Sequence, residues 1–307
     1  MPRRIGVGIN CLSLLLLALV VLGQPQLRAS EDAKPSISLS VRSTGAWTIV
    51  ESANFRCCCQ LPESDARRLA ECCETWRSRL RKAWLTETDD QCWSPKCDVQ
   101  VHPNREAYNR ALNRPGDNSV GSTMMNFDQG RVVQRRIDVR ADAGDWSNAA
   151  LPHELTHVVL GERFGGHALP RWADEGIAML SESSDKHRER LVNLQETLAQ
   201  RPTFRLSELV RADRMPQPHL RDAFYGQSVA LTSMLIRKST PAKFADFLEE
   251  SRLNGIDRAL KEHYQLNGVV ELQHEWDQWT RKPETIEFVS LQLHVGVSPV
   301  LASVMIP

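Results

Sequence analysis

The chain has 307 residues, 41% of them apolar and 25% charged, which is enough for one globular domain with or without a small appendage. Its 38 lysines and arginines are balanced by 38 aspartates and glutamates. With no basic surplus to offset phosphate charge, the composition argues against nucleic acid as a partner.

The N-terminus reads as a targeting segment. Arg3 and Arg4 precede an apolar stretch over residues 5–23, densest at 12–22, which Gln24, Pro25 and Gln26 end. Ala29 is a small residue at a cleavage-like position. Residues 1–29 are therefore a secretory signal peptide or, because a run of this length just spans a bilayer, an uncleaved anchor. Either way the domain is expected to be exported, to a periplasmic, cell-envelope or extracellular location. Membrane contact is expected only through this segment. Residues 30–45 are polar and read as a flexible leader.

The folded domain is expected over residues 46–282. Two short strands, 46–50 and 54–60, flank a turn. Residues 63–85 form an amphipathic helix, with Leu69, Cys72 or Cys73, Trp76, Leu80 and Trp84 at three- and four-residue steps. A strand at 98–102 and a helix at 105–112 follow, then a loop over 114–130. Residues 131–141 alternate charged and apolar side chains, as a half-buried strand does. Beyond residue 148 the pattern is helical, with segments at 186–200, 204–210, 222–239, from Pro241 to just before Gly255, 256–264 and 269–279. Residues 283–307 match no element and read as a loosely attached strand or a disordered tail.

Seven cysteines follow the signal segment: Cys57, Cys58, Cys59, Cys72, Cys73, Cys92 and Cys97. An exported protein can keep disulfides. A local Cys92–Cys97 bridge around Pro95 is expected, and a pairing of the 57–59 strand with Cys72 or Cys73 is open. The other reading makes at least three of the seven small buried hydrophobes.

The chemistry lies in residues 151–178, L-P-H-E-L-T-H-V-V-L-G-E-R-F-G-G-H-A-L-P-R-W-A-D-E-G-I-A. Residues i and i+4 of a helix share a face, so His153 and His157 can offer two imidazoles to one ion. Glu154 sits one residue round, within reach of a water on that ion, as in the H-E-x-x-H arrangement. The plainer reading is an amphipathic helix with two exposed histidines. Against it, Pro152 fits a first helical turn, Leu155, Val158 and Val159 form a core-facing side, and Gly161 with Gly165 and Gly166 marks a stop. A catalytic zinc takes three protein ligands and keeps one position open, and the segment opened by Pro170 carries two further carboxylates, Asp174 and Glu175.

H-E-L-T-H followed by L-P-R-W-A-D-E-G-I-A resembles the gluzincin metallopeptidases, whose third ligand is the glutamate of a W-x-[ND]-E-G segment. The resemblance implies that Glu175, eighteen residues after His157, completes the zinc site. Asp174 beside it either supports the ligands or is an acidic residue favoured by the helix dipole. The stretches F-Y-G-Q-S, F-A-D-F-L, G-I-D-R-A-L and E-L-Q-H-E-W are similar to bacterial exported proteins of the peptidase MA-like group, extending the likeness over residues 54–279. In gluzincins the strand before the zinc helix is often a sheet edge that takes an extended peptide, which here implies residues 131–141. Residues 121–126, G-S-T-M-M-N, are similar in outline to the G-x-M-E-N stretch of gluzincin aminopeptidases. Met125 replaces its glutamate, so aminopeptidase activity is not implied. The resemblance also implies an oxyanion donor from a helix after the third ligand. Tyr225, beside Gly226 whose missing side chain leaves room, is the first candidate and His219 the second; the other reading of Tyr225 is a half-buried core tyrosine.

The expectation is an α+β fold, a small mixed sheet with a zinc-binding helix pair and a mostly helical C-terminal half. The expected function is zinc-dependent hydrolysis of a peptide or protein substrate, with Zn2+ on His153, His157 and Glu175 and Glu154 as general base. The alternative is a catalytically silent zinc-site scaffold or binding protein of the cell envelope.

Overall fold

The computed structural model describes residues 37–85, 91–200, 203–281 and 286–288. The expected signal segment lies outside the described residues, as does most of the C-terminal tail. Of that tail, Ile286 is buried and Phe288 packs against the core.

Three antiparallel strands open the fold: β1 (Ser40–Thr44), β2 (Trp47–Glu51) and β3 (Phe55–Cys59). Helix α1 (Glu63–Trp84) then crosses the sheet and returns the chain to β4 (Cys97–His102), parallel to β3. After α2 (Arg105–Leu112), a hairpin of β5 (Gly121–Asp128) and β6 (Arg131–Arg140) completes the sheet. Its two-residue turn holds Gln129 and Gly130 at positive φ, the mirror-image turn whose twist suits a hairpin. The strand order is β1-β2-β3-β4-β6-β5, with β4 and β6 parallel.

The rest is helical: α3 (Ala150–Arg163), α4 (Arg171–Met179), α5 (Ser184–Gln200), α6 (Leu206–Leu209), a 3-10 turn at Pro218–Leu220, α7 (Arg221–Arg237), α8 (Pro241–Asn254), α9 (Ile256–Tyr264) and α10 (Val269–Trp279). The architecture is the expected α+β fold. Helix α7 is buried from Ala223 to Ile236 apart from Tyr225, because α4, α5 and α8 all pack around it. No helix among the described residues is long and apolar enough to cross a membrane.

Four expectations need correction. Residues 40–44, read as leader, are β1; an edge strand with mostly exposed polar side chains carries no apolar alternation to announce it. Residues 121–128, read as loop, are β5, whose glycine, asparagine and aspartate hide a strand of alternating half-buried and exposed positions. As a result β6 is not the sheet edge. It is paired on both sides, and β5 is the edge. The expected Cys92–Cys97 bridge is also not formed: Cys92 is exposed, whereas Cys97 starts β4 on the face turned to the core. Five of the seven cysteines are buried, and burial raises the thiols of Cys59, Cys72, Cys73 and Cys97, to about 11 for Cys59 and about 12 for Cys72.

Helix α3 is fixed by its buried face and by its C-terminal end. Leu151, Leu155, Val158 and Val159 are fully buried. At its C-terminal end, Glu162 accepts from Arg81 Nη1 at 2.6 Å and Trp93 Nε1 at 2.9 Å, and Arg163 donates to the Trp84 carbonyl at 2.8 Å. These charge-assisted bonds tie α3 to α1 and to the segment before β4, and set the direction of its polar face.

Candidate metal centre and active site

The polar face of α3 opens on a cleft of about 740 Å³, bounded by β5, α4, α5 and Tyr225 of α7. His153 and His157 lie one turn apart with ring centroids 5.0 Å from each other. From α4, Glu175 brings Oε2 to 3.6 Å from His153 Nε2. One ligand atom from each of His153, His157 and Glu175 falls within 4.8 Å of the others, and this is the one such cluster among the described residues.

The far ring nitrogens are already engaged. His153 Nδ1 donates to Glu182 Oε1 at 2.9 Å, and His157 Nδ1 donates to Asp174 Oδ1 at 2.9 Å. A carboxylate on Nδ1 fixes the tautomer that leaves Nε2 a lone pair, the arrangement typical of metal-ligating histidines. Glu182 is held in turn by Arg190 through both carboxylate oxygens, at 2.5 and 2.6 Å. Two nitrogens and a carboxylate oxygen, oriented by carboxylates behind them, are a donor set that zinc takes.

The electrostatics agree with a cation's place. Burial pulls the His153 imidazole down, but the carboxylates of Glu175 and Glu182 outweigh it and push it up to about 10. Burial works against Glu182 as a carboxylate, yet His153 and Arg190 hold it down at about 2. Glu175 and Asp174 are also lowered, with burial again opposed by the two imidazoles.

Glu154, 8% exposed, points into the same cleft. Tyr225 also lines it, and its hydroxyl is raised by burial and then by the neighbouring charge of Glu175. His219 is exposed, in the 3-10 turn before α7, and is not among the cleft-lining residues. The room attributed to Gly226 belongs to the core: a Cβ there would face Leu194 of α5, 3.4 Å away at its nearest. The structure thus brings His153, Glu154, His157, Asp174, Glu175 and Tyr225 together, and leaves His219 aside.

Glu182, Arg190, Gly121 and Thr123 were not expected from the sequence. Glu182 follows α4 in an S-E-S-S turn that reads as a plain connection, and its contact to His153 spans 29 residues. For Gly121 and Thr123 the signal is the likeness of residues 121–126 to the G-x-M-E-N stretch of gluzincin aminopeptidases.

An H-E-x-x-H helix, a glutamate from the following helix and a bordering sheet edge define the class of metallopeptidase-like α+β domains. The family model of the peptidase MA superfamily matches residues 120–282, more than half of the chain, and the chain belongs to that superfamily. The match begins just before β5 and runs past α10, so it includes His153, Glu154, His157, Asp174, Glu175 and Tyr225 of the cleft. No match was found among curated proteins.

Proposed function

We propose that this protein is a zinc-dependent hydrolase of peptide bonds. The observation that carries the reading is the convergence of His153, His157 and Glu175, with Glu154 beside them in an open cleft. Zinc bound there would make a water acidic and polarise a substrate carbonyl. Glu154 accepts the attacking water's proton and returns it to the leaving amine. Tyr225 donates a hydrogen bond to the carbonyl oxygen as negative charge builds on it. Glu182 and Asp174 hold the two imidazoles in the tautomer that offers Nε2.

The substrate is a peptide or protein in extended form. The outer side of β5 has no neighbouring strand among the described residues, and the strand runs beside Glu154, so a substrate can add to the sheet there through main-chain hydrogen bonds. Export to the periplasm, envelope or exterior remains part of the proposal, on the strength of residues 1–29.

The test is a proteome-derived peptide library incubated with zinc-loaded wild-type protein and with Glu154→Gln, with zinc measured in both. Cleavage by the wild type, lowered about 10²-fold or more at equal zinc content in the variant, is expected. Stoichiometric zinc with no cleavage of any peptide would instead favour a zinc-site scaffold.

A further inference from the structure

Glu154 is buried apart from the side that faces the cleft, so the hydrogen bonds its neighbours supply hold its carboxylate in place. Its donor is Thr123 of β5, whose Oγ1 lies 2.6 Å from Glu154 Oε2 and 3.0 Å from the Glu154 carbonyl oxygen. Both acceptors within reach of this hydroxyl belong to Glu154. Threonine is β-branched and stiff at χ1, so the hydroxyl direction follows from the strand's position. That position is set by pairing with fully buried Ile137 of β6.

Two residues earlier on the same face of β5 is Gly121. A Cβ on Gly121 would stand 2.5 Å from Glu154 Oε1 and 2.7 Å from its Cγ. The carboxylate therefore lies across the strand at the one residue type that leaves space, with Oε2 tied by Thr123. The same face continues past Glu154, with Met125 over Gly161 of α3 and Phe127 over Gly166 in the turn that follows, so β5 and α3 pack in one fixed register.

We infer that Thr123 is a positioning residue for Glu154, with Gly121 clearing its place, so that the strand open to an extended peptide also aims the proton-accepting carboxylate. The inference rests on the hydrolase reading. Proton transfer is sensitive to sub-ångström placement, and loss of the Thr123 bond frees Glu154 to turn about its side-chain torsions.

Thr123→Val keeps the shape and removes only the hydroxyl; Thr123→Ser keeps the hydroxyl. With zinc loaded, Thr123→Val is expected to lower kcat about 10- to 100-fold, with KM changed about twofold or less and zinc content unchanged, and Thr123→Ser to recover most of kcat. Added to Glu154→Gln, Thr123→Val should cost nothing further, because it acts through that carboxylate. Equal kcat in Thr123→Val and wild type, or a further loss on top of Glu154→Gln, would overturn the inference. Crystal structures of the metal-free wild type and of both variants give a readout independent of activity. A Glu154 carboxylate turned away in Thr123→Val and retained in Thr123→Ser supports the inference, and an unmoved carboxylate in Thr123→Val overturns it. A wild type that cleaves nothing would defeat the hydrolase reading, and the crystal structures would still decide whether Thr123 holds Glu154.

Discussion

Gly176, the residue after Glu175, lies where α4 packs tightly against α7. A Cβ there would collide with Thr232 Oγ1 and stand 2.6 Å from the Ser228 carbonyl oxygen. Ser228 and Thr232 are fully buried, and the carbonyl is main chain inside a helix, so it has no rotamer to escape into. Gly176→Ala gains about 1 kcal/mol of helix propensity and incurs about 3 kcal/mol of overpacking. The clash wins, by about 2 kcal/mol, which for a domain of this size lowers Tm by about 4–8 °C. Any relief must come from α4 moving off α7, which carries Glu175 with it, so zinc affinity should fall about 10-fold or more. Gly226→Ala is the matched comparison. Its Cβ would meet Leu194 at an ordinary contact distance of 3.4 Å, so propensity alone acts, and Tm should rise by about 2–4 °C. Calorimetric melts of both metal-free variants beside wild type, with zinc titrations against a chelator, measure these changes. A Gly176→Ala protein melting within about 1 °C of wild type would refute the packing argument.

Purified protein should bind about one zinc per chain, and His153→Ala, His157→Ala and Glu175→Ala should each lose most of it by metal analysis; full zinc in Glu175→Ala would remove the third ligand. Glu182→Gln should weaken zinc binding about 10- to 100-fold by loosening His153, and an unchanged chelator titration would show that the bond between them does not matter. Tyr225→Phe should keep zinc and KM and lower kcat about 10²-fold, while His219→Ala stays near wild type; the reverse pattern in steady-state kinetics would move the oxyanion role to His219. In the native protein Cys92 should alkylate first by mass mapping, as the one exposed thiol among residues 57–97. Rapid alkylation of Cys73 or Cys97 would contradict their burial.

What the sequence determined by itself is local. His153, Glu154 and His157 were legible because a helix converts a four-residue spacing directly into one face, and Leu155, Val158 and Val159 declared which face is buried. Glu175 was legible through a short segment similar to a known ligand motif. Helix α1 stood out by the recurrence of Leu69, Trp76, Leu80 and Trp84, and α2, α9 and α10 fall where helices were expected. What only the tertiary structure decided is what lies across from each of these. β5 reads as a loop until β6 supplies its partner, since its glycine, asparagine and aspartate hide the alternation in its burial. Glu182 and Thr123 reach the site through contacts that span 29 and 31 residues, and no periodicity relates such positions. Gly176 and Gly226 look alike in the sequence, each a glycine inside a helix. They differ because the Ser228 carbonyl faces one and a leucine side chain at contact distance faces the other. That difference is a property of how helices pack on one another, and pairwise packing is settled only when the whole core is assembled.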